Sequence, residues 1–268
     1  MCNYCYSCRL EAEMEITLKG LVAVVTGGSR GIGAAISLSL AESGARVVIN
    51  HLPMDRDVEG FNLIRNKIEK IGGQCISVPG DITDSSFCNE MCRIAVEKFG
   101  RLDILINCAG FVVQADCLEV SDELWKNGIE VNLSAAFYTS RAALKHMVDN
   151  DHGRIIYIGS SGSITGGGGS AFYSAAKAGI NGLVRNLSKE LAPNGITVNA
   201  VLPALIETDL LRDRYSDPEK RKVLVERIPV GRLGQAEDVA NTVIFLASDK
   251  ADFISGQLII VDGGSTYK

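Results

Sequence analysis

Short apolar runs and longer amphipathic stretches alternate along most of the chain. Residues 21–25 are apolar at every position, which is typical of a strand covered on both faces of a sheet. Further runs rich in Val, Ile and Leu follow in order, and each is bounded by turn-forming residues. The predicted strands are residues 21–25, 46–50, 75–78, 104–106, 154–158, 197–201 and 257–261.

Segments with helical periodicity separate these strands. The predicted helices are residues 33–43, 59–71, 85–99, 124–149, 171–191 and 236–247, each to within a few positions. Strands that alternate with helices are typical of a parallel sheet with helices on both faces. Because no shift in composition marks a second domain, we predict a single α/β domain over residues 19–268. Its expected core is a Rossmann-type, doubly wound, seven-stranded parallel sheet.

The composition excludes several classes of function. Of the 268 residues, 46% are hydrophobic and 22% are charged, which suits a globular protein with a sizeable core. The net charge of −5 and the lack of a basic stripe argue against a nucleic-acid partner. No apolar run is long enough to cross a bilayer, and residues 1–9 lack the apolar segment of a secretory signal. We therefore expect a cytoplasmic protein with no membrane partner.

The eight cysteines divide into two groups. Five lie in patterned segments and are interpreted as small buried hydrophobic side chains in a reducing compartment: Cys75, Cys88, Cys92, Cys108 and Cys117. Cys2, Cys5 and Cys8 instead have cluster-like spacing. A bacterial iron–sulfur site needs a fourth cysteine at the position of Ala12, so we predict a disordered extension over residues 1–18 and no metal. A metal site in the tail is the alternative.

A glycine cluster, Thr-Gly-Gly-Ser-Arg-Gly-Ile-Gly, connects the first strand to the first helix at residues 26–33. Gly27 lets the chain turn out of the strand, and Gly31 removes a side chain where backbone approaches a pyrophosphate. Gly33 allows the helix to pack closely on the strand, and the N–H groups at the helix start can then bind the anion. A tight turn that binds nothing is the alternative. The position between strand and helix favours dinucleotide binding.

Tyr173 and Lys177 are four residues apart on a predicted helix and therefore share one face. Tyrosine ordinarily ionises near pH 10, and both a nearby ammonium and an oxidised nicotinamide ring favour its phenolate form. Such a group can give a proton to a carbonyl or take one from an alcohol. Ser160, at the carboxyl end of the fifth strand, can hold the substrate oxygen. A solvated helix surface and an ordinary loop serine are the alternatives.

These features together resemble the short-chain dehydrogenase/reductase family. The glycines have its spacing, Gly-x-x-x-Gly-x-Gly, and Ser160 precedes Tyr173 by the thirteen residues found there. Residues 107–110, Asn-Cys-Ala-Gly, are similar to the family's Asn-Asn-Ala-Gly, with Cys108 in place of the second asparagine. The resemblance covers residues 19–264. It implies hydride transfer between a nicotinamide cofactor and an alcohol or ketone carbon, with Tyr173 as the acid/base.

The resemblance also implies roles for other residues. Asn132 lies in the middle of a predicted helix, where asparagine is unfavourable. It matches a family asparagine that holds a water molecule through which protons pass. A polar residue at a helix kink is the alternative. Asp81 is expected to bind the adenine amine with Ile82 beside the ring, and Ile206 and Thr208 to hold the nicotinamide carboxamide. The cofactor-binding residues expected are Gly27, Ser29, Arg30, Gly31, Ile32, Gly33, Asn50, His51, Asp81, Ile82, Asn107, Ala109, Gly110, Tyr173, Lys177, Pro203, Ile206 and Thr208.

A charged segment at residues 205–230 interrupts the alternation of strands and helices after the sixth strand. Because it follows the residues assigned to the nicotinamide, we interpret it as a substrate lid. A merely solvated helical insertion is the alternative. At its start Pro203 is followed by Ala204, where the family has Pro-Gly.

The choice between the two nicotinamide cofactors depends on the residue that ends the second strand. A carboxylate there would bind the ribose 2′-hydroxyl of NAD and repel the 2′-phosphate of NADP. The strand ends instead in Asn50 and His51, and Arg30 in the glycine loop can pair with a phosphate. We predict NADP(H). NAD(H) stays open, because Asp55 and Asp57 are near in sequence and His51 could simply cap the strand.

The substrate is predicted by class only. The branch resembled most contains bacterial 3-oxoacyl-carrier-protein reductases and glucose or polyol dehydrogenases. Where the carrier-protein enzymes have basic residues for an acidic partner, this chain has Asp151 and Asn194. We therefore expect a small carbonyl, a sugar or a polyol. Reduction of a 3-oxoacyl carrier protein is the first alternative, and dinucleotide sensing without turnover is the second.

An oligomer is also expected. The helices that carry Asn132 and Tyr173 have apolar residues beyond what one sheet face needs: Ala142, Ala143, Leu144, Ile180, Leu183 and Val184. Because family members pair these helices, we predict a homotetramer with two-fold axes.

Overall fold

The computed structural model describes residues 16–150 and 152–267. A single seven-stranded sheet, parallel throughout, forms the centre of this part of the chain. Its strands are β1 (Val22–Thr26), β2 (Arg46–His51), β3 (Cys75–Pro79), β4 (Ile104–Asn107), β5 (Gly153–Ile158), β6 (Ile196–Pro203) and β7 (Leu258–Val261). The spatial order is β3-β2-β1-β4-β5-β6-β7. The chain therefore reverses direction across the sheet between β1 and β4, where a crevice forms at the carboxyl ends of the strands.

Ten α-helical segments connect the strands in the described part of the chain. They are α1 (Gly31–Glu42), α2 (Asp55–Lys70), α3 (Ser85–Phe99), α4 (Asp122–Ile129), α5 (Ala135–Met147), α6 (Gly162–Thr165), α7 (Ala171–Leu191), α8 (Asp209–Arg214), α9 (Pro218–Glu226) and α10 (Ala236–Ala247). One apolar cluster joins α1, α2 and α10 to one face of the sheet, and a second joins α3, α5 and α7 to the other face. Alternate residues of β1 enter different clusters, which explains why the strand is apolar at every position.

The predicted fold is confirmed, and three predicted helices, α3, α7 and α10, have the predicted bounds. The prediction was wrong at the start of α2, which begins at Asp55 rather than near residue 59. The carboxylates of Asp55 and Asp57 in its first turn favour a helix start there because they complement the helix dipole. The predicted helix over residues 124–149 begins at Asp122 and is interrupted by a π-helical turn, Glu130–Ser134.

The apolar residues from which an oligomer was predicted lie mostly inside the protomer. Ala142, Ala143, Ile180 and Val184 are buried in the second apolar cluster and pack on the protomer's own sheet. The apolar residue that α5 exposes is instead Phe137, which is 40% accessible. The spacing of apolar residues along a helix identifies its apolar face but does not show how much of that face the sheet covers. For this reason the sequence pattern overestimated the apolar surface left for another protomer.

The ordered packing of the domain begins before residue 19, where the domain was predicted to start. Leu18, assigned to the predicted extension, is buried against the first apolar cluster, and its N–H donates to the Ser43 carbonyl (2.7 Å). The cluster-like cysteines Cys2, Cys5 and Cys8 lie outside the described residues. Within residues 16–150 and 152–267, no helix is both long and apolar enough to span a bilayer.

Candidate active site

A cleft of about 800 Å³ lies at the carboxyl edge of the sheet, beside the point where the strand order reverses. This volume is within the range typical of sites for small ligands and cofactors, roughly 300–1,000 Å³. The predicted site residues that line it are Gly27, Ser29, Arg30, Gly31, Ile32, Gly33, Asn50, His51, Asp81, Ile82, Ala109, Gly110, Asn132, Ser160, Tyr173, Lys177, Pro203, Ile206 and Thr208. The topology thus brings together residues from almost the whole length of the described chain.

Asn107 is the predicted cofactor residue that does not line the cleft. It is buried behind it, where its Nδ2 donates to Ser140 Oγ (3.1 Å) and its Oδ1 accepts from Thr139 Oγ1 (2.5 Å). Ser140 Oγ also shares a hydrogen bond with the buried Tyr157 hydroxyl (2.5 Å). Asn107 therefore joins β4 to α5 and β5 beneath the site. The direct cofactor contact predicted for it does not fit this position.

The glycine loop at the start of α1 is packed so closely that side chains would obstruct it. Gly27 has φ +62°, and a Cβ there would lie 2.9 Å from the Cα of Ala109. A Cβ on Gly33 would collide with the carbonyl of Gly27, because the first turn of α1 rests on the loop. These contacts leave the backbone N–H groups at the helix start accessible to a phosphate, so the cradle fits a pyrophosphate.

The long helix α7 carries Tyr173 and Lys177 into the opposite end of the cleft. Lys177 is only 5% exposed, and its Nζ donates to the Ile158 carbonyl at the end of β5 (2.9 Å). The same Nζ lies 5.7 Å from the centre of the Tyr173 ring. Burial lowers the pKa of Lys177 to about 8, while the neighbouring thiol of Cys108 acts in the opposite direction. Lys177 is therefore a buried amine whose charge is sensitive to pH in the neutral to alkaline range.

Ser160 is in the turn that follows β5 and lines the cleft, as Tyr173 does. Its Oγ accepts a hydrogen bond from the backbone N–H of Gly162 (3.1 Å), which orients the hydroxyl. The hydroxyl proton remains available for donation to a bound oxygen.

Gly168 determines how the Tyr173 ring fits. Its φ is +111°, and a Cβ at this position would lie 2.6 Å from Cδ1 of the ring. Gly168 belongs to a run of four glycines at residues 166–169. Glycines have no side-chain pattern that indicates which residue packs on them. The contact with Tyr173 could therefore be identified only from the three-dimensional structure.

Asn132 occupies the π-helical turn between α4 and α5. Its Nδ2 donates to the carbonyls of Gly128 (3.0 Å) and Phe111 (3.1 Å), and its Oδ1 accepts from the Phe111 N–H (3.2 Å). A π-helical turn leaves a carbonyl without its usual helical partner, and here the Asn132 amide supplies a donor to Gly128. The side chain thereby fixes the loop after β4 against the helix. A Cβ on Gly110 in that loop would lie 2.6 Å from Asn132 Oδ1 and 3.6 Å from Lys177 Nζ.

The side chains at the end of β2 are directed towards β3. Asn50 Nδ2 donates to the carbonyls of Val78 (3.2 Å) and Gly80 (3.1 Å). The two ring nitrogens of His51 are hydrogen-bonded to the Leu52 carbonyl and to Ser77 Oγ, both at 2.8 Å. These contacts correspond to the alternative considered for His51, a cap on the strand.

Arg30 is bonded to the carboxylate of Asp57, which the sequence indicated only as a charge near the end of the second strand. Its Nε donates to Oδ1 of Asp57 in the first turn of α2 (2.8 Å), and Ser29 Oγ reaches the same oxygen at 3.5 Å. Asp57 lines the cleft, so the part of the cleft expected to hold the adenosine ribose contains both a cation and an anion. The two residues are 27 positions apart, and no local pattern relates them.

The segment predicted as a lid is tied to the cleft by ion pairs. Glu207, between Ile206 and Thr208, accepts from Arg212 Nε of α8 (2.8 Å) and also from Arg221 of α9. A second pair, Arg56 with Asp209 (3.4 Å), links α2 to α8 across the cleft. Movement of α8 and α9 is therefore coupled to the backbone that follows β6.

Among residues 16–150 and 152–267, no three His, Cys, Asp or Glu side chains are grouped so that they could bind a metal ion. The chemistry that the cleft can support rests on the Ser160 hydroxyl, the Tyr173 phenol and the buried Lys177 amine. These groups suit proton transfer at an oxygen, and the glycine cradle at the other end suits a dinucleotide.

Comparison with known proteins agrees with this arrangement. A family model described as enoyl-(acyl carrier protein) reductase matches residues 27–266. The chain is 38% identical over 242 residues to an L-rhamnose 1-dehydrogenase (NAD(P)(+)) of Azotobacter vinelandii, covering 90% of this chain and 94% of the relative. It is 39% identical over 249 residues to the 3-oxoacyl-[acyl-carrier-protein] reductase FabG of Escherichia coli, covering 93% and 98%.

A solved structure of a dehydrogenase/reductase from Sinorhizobium meliloti 1021 superposes with a TM-score of 0.86 at 36% identity. The match covers 94% of this chain and 97% of the other. The chain therefore belongs to the short-chain dehydrogenase/reductase family, as its motifs predicted. It is an oxidoreductase of the class that acts on CH–OH donors with a nicotinamide cofactor.

Proposed function

We propose that the protein interconverts a ketone and a secondary alcohol with NADP(H), using Tyr173 as the acid/base. The observation that carries this proposal is the convergence of Ser160, Tyr173 and the buried Lys177 on a cleft whose other end is a glycine cradle. A cofactor held along that cleft would extend from the cradle towards Tyr173. Bound there, the nicotinamide would supply the hydride to the substrate carbon.

In the direction of reduction, the Ser160 hydroxyl donates a hydrogen bond to the carbonyl oxygen, and the Tyr173 phenol transfers its proton to that oxygen. In the direction of oxidation, the Tyr173 phenolate removes the alcohol proton. Lys177, within 5.7 Å of the Tyr173 ring, stabilises the phenolate when its ammonium is charged. Because burial lowers the pKa of Lys177 to about 8, this stabilisation is lost as the pH rises through that value.

Asn132 is proposed to position this machinery. Its three hydrogen bonds hold the loop after β4 beside Lys177, at a π-helical turn of a kind often found at functional sites. By the family resemblance, a water held at this turn would pass a proton to Lys177. The segment of residues 205–230, which contains α8 and α9, is proposed to close over the substrate, with Glu207 as the point at which both helices are tied down.

NADP(H) is favoured over NAD(H) for two reasons. The end of β2 carries no carboxylate, and Arg30 provides a guanidinium at the ribose end of the cleft. The name of the Azotobacter relative gives NAD(P)(+), so use of both cofactors by this chain is the alternative.

A small ketone, a sugar or a polyol is the proposed substrate. The rhamnose dehydrogenase relative supports a sugar, whereas the FabG relative supports a 3-oxoacyl thioester as the alternative. At one of the two places where carrier-protein reductases have basic residues, this chain has the neutral Asn194, which disfavours an acidic carrier partner. Asp151, at the other place, lies outside the described residues.

The protein is also proposed to assemble as a homotetramer. A groove between α5 and α7, lined by Leu133, Phe137, Tyr138, Gly179 and Leu183, exposes apolar surface that a second copy could cover. Light scattering at micromolar concentration is expected to give four times the mass of the chain. A monomer mass would contradict this proposal.

The proposed reaction is tested by a substrate screen. The wild-type enzyme and Tyr173→Phe are supplied with NADPH or NADH and a panel of small ketones and 3-oxoacyl thioesters, and with NADP+ or NAD+ and a panel of sugars and polyols. We expect a carbonyl or alcohol to be turned over by the wild type only, with NADPH preferred. Binding of the cofactor without turnover of any substrate class would instead favour a dinucleotide sensor. Equal rates for both proteins would remove Tyr173 from the mechanism.

A further inference from the structure

The ribose end of the cleft contains an ion pair built from two separate elements. Arg30 directly precedes α1, and Asp57 lies in the first turn of α2. Their hydrogen bond joins Arg30 Nε to Asp57 Oδ1 (2.8 Å), and Ser29 Oγ approaches the same oxygen at 3.5 Å. The Asp57 side chain is 13% exposed and that of Arg30 is 38% exposed. The carboxylate is therefore held firmly, while the guanidinium keeps access to the cleft.

Gly60, one turn after Asp57 on α2, provides the space for this pair. A Cβ at Gly60 would lie 2.6 Å from the Ser29 carbonyl oxygen and 2.7 Å from Cγ of Arg30. Glycine inside a helix is unfavourable relative to alanine, so its presence here calls for a reason. The close approach of the Arg30 stem supplies one. Two residues of α2, Asp57 and Gly60, thus shape the position of Arg30.

Asp57 is the carboxylate placed to sense the adenosine ribose. Three acidic residues line the cleft: Asp57, Asp81 and Asp209. Asp209, the first residue of α8, is already paired with Arg56 (3.4 Å) and Arg212 (3.2 Å), and Asp81 after β3 accepts from the Thr83 N–H in its own turn (2.9 Å). Asp57 is bonded directly to the glycine loop. The side chains at the end of β2, where family members select their cofactor, are instead bonded to β3 and its flanking turn.

We propose that Asp57 on α2, acting with Arg30, sets the cofactor preference of this enzyme. The hydrogen bonds that Asp57 accepts from described residues use Oδ1, so Oδ2 can accept from the ribose 2′-hydroxyl of NAD(H). Arg30 uses Nε for Asp57, so its Nη groups can bind the 2′-phosphate of NADP(H). The Asp57 carboxylate opposes that phosphate. The Arg30–Asp57 pair therefore allows either cofactor to bind, and Asp57 reduces the factor by which NADP(H) binds more tightly than NAD(H). This inference rests on the proposed nicotinamide-dependent function.

The inference is tested by calorimetric titration rather than by activity. Wild type, Asp57→Asn and Arg30→Ala are titrated with NADP+, NAD+ and the fragments 2′,5′-ADP and 5′-AMP, which carry only the adenosine part. In Asp57→Asn we expect the affinity ratio of NADP+ to NAD+ to rise about tenfold, with the same trend in the fragments. In Arg30→Ala the ratio should fall by a similar factor. Asp55→Asn, which removes the same charge two residues earlier on α2, should leave the ratio within about twofold.

Gly60→Ala serves as a second variant that keeps both charged groups. We expect it to weaken both cofactors, because the added methyl group collides with the Ser29 carbonyl of the glycine loop, and to weaken NADP+ more than NAD+, because it also displaces the Arg30 stem. If Asp57→Asn and Gly60→Ala both leave the ratio unchanged while the cofactors still bind, the role of Asp57 is refuted and the proposed function stands. If wild type binds neither cofactor, the proposed function itself is refuted.

Discussion

The two ends of the cleft hold their functional side chains in different ways. At the catalytic end, Lys177 and Asn132 are buried and bonded to backbone carbonyls, so their positions are fixed by the fold. At the ribose end, Arg30 is held by the Asp57 side chain, and its guanidinium remains partly exposed. Buried groups tied to backbone tolerate few substitutions, whereas a partly exposed ion pair contributes little to stability. We infer that substitution could retune cofactor preference while the reaction is preserved.

Apart from Tyr173, Ser160 is the residue whose replacement should lower kcat most. Ser160→Ala removes a hydrogen bond to the substrate oxygen that strengthens as charge develops, so kcat should fall about 100-fold. The KM for the cofactor should change little, because the glycine cradle is intact. Ser161→Ala, at the adjacent position, is the matched control and should lose less than about threefold. Equal losses in the two variants would refute the assignment of Ser160.

The buried Lys177 should make the stability of the folded protein depend on pH. Its pKa in the folded state is lowered by burial to about 8, below the 10.5 of an exposed lysine, so the unfolded chain binds more protons between these values. The free energy of unfolding of the wild type should therefore rise, relative to Lys177→Met, by about 2 kcal/mol between pH 8 and 10.5. Urea unfolding of both cofactor-free proteins measures this difference. A constant difference across the window would contradict the lowered pKa.

Gly168 tests how tightly the Tyr173 ring is placed. Gly168→Ala forces a Cβ against the ring and strains a residue at φ +111°, so kcat should fall about tenfold while cofactor affinity is retained. Gly166→Ala is a matched control in the same loop. It also has a positive φ, +75°, but no atom lies within 4 Å of the added methyl group. If both variants lose the same activity, backbone strain rather than contact with Tyr173 is responsible.

Glu207, which joins α8 and α9 to the segment after β6, should give the smallest effect. Glu207→Gln weakens the bonds from Arg212 and Arg221, so α8 and α9 should be held less firmly. We expect KM for substrate to rise about threefold with a smaller change in kcat, since glutamine keeps a neutral acceptor for both arginines and the Arg212 side chain is itself largely exposed. Glu219→Gln, on the surface of α9, is the control. A larger loss in kcat than in KM would show that Glu207 acts on the chemistry instead.

The fold and the glycine loop could be predicted because their signals are local, whereas most of the other residues that line the cleft were expected from the family resemblance. Alternating strands and helices indicated the sheet, and the glycine spacing and the Tyr173–Lys177 pair lie within single turns. The π-helical turn at Asn132 was not predicted, because residues 130–134 fit an ordinary helix. The contact between Arg30 and Asp57 and the packing of Tyr173 on Gly168 depend on how separate segments meet, which local patterns do not encode.

The prediction of exposed apolar residues failed for a related reason. Ala142, Ala143, Ile180 and Val184 have the spacing of a helix face, but the sheet and the neighbouring helices cover that face completely. Their burial could be judged only from the width of the sheet beneath them. Leu183, from the same predicted set, is only partly buried and lines the apolar groove together with Phe137.

The role of Tyr173 is tested most directly by hydride transfer in a single turnover. NADPH is first bound to wild type and to Tyr173→Phe, its affinity for each is measured, and its oxidation is followed after mixing with the best carbonyl substrate. We predict that both proteins bind NADPH and that the rate of hydride transfer from saturating NADPH is about 1,000-fold lower in Tyr173→Phe. Equal rates of hydride transfer in the two proteins would contradict the account.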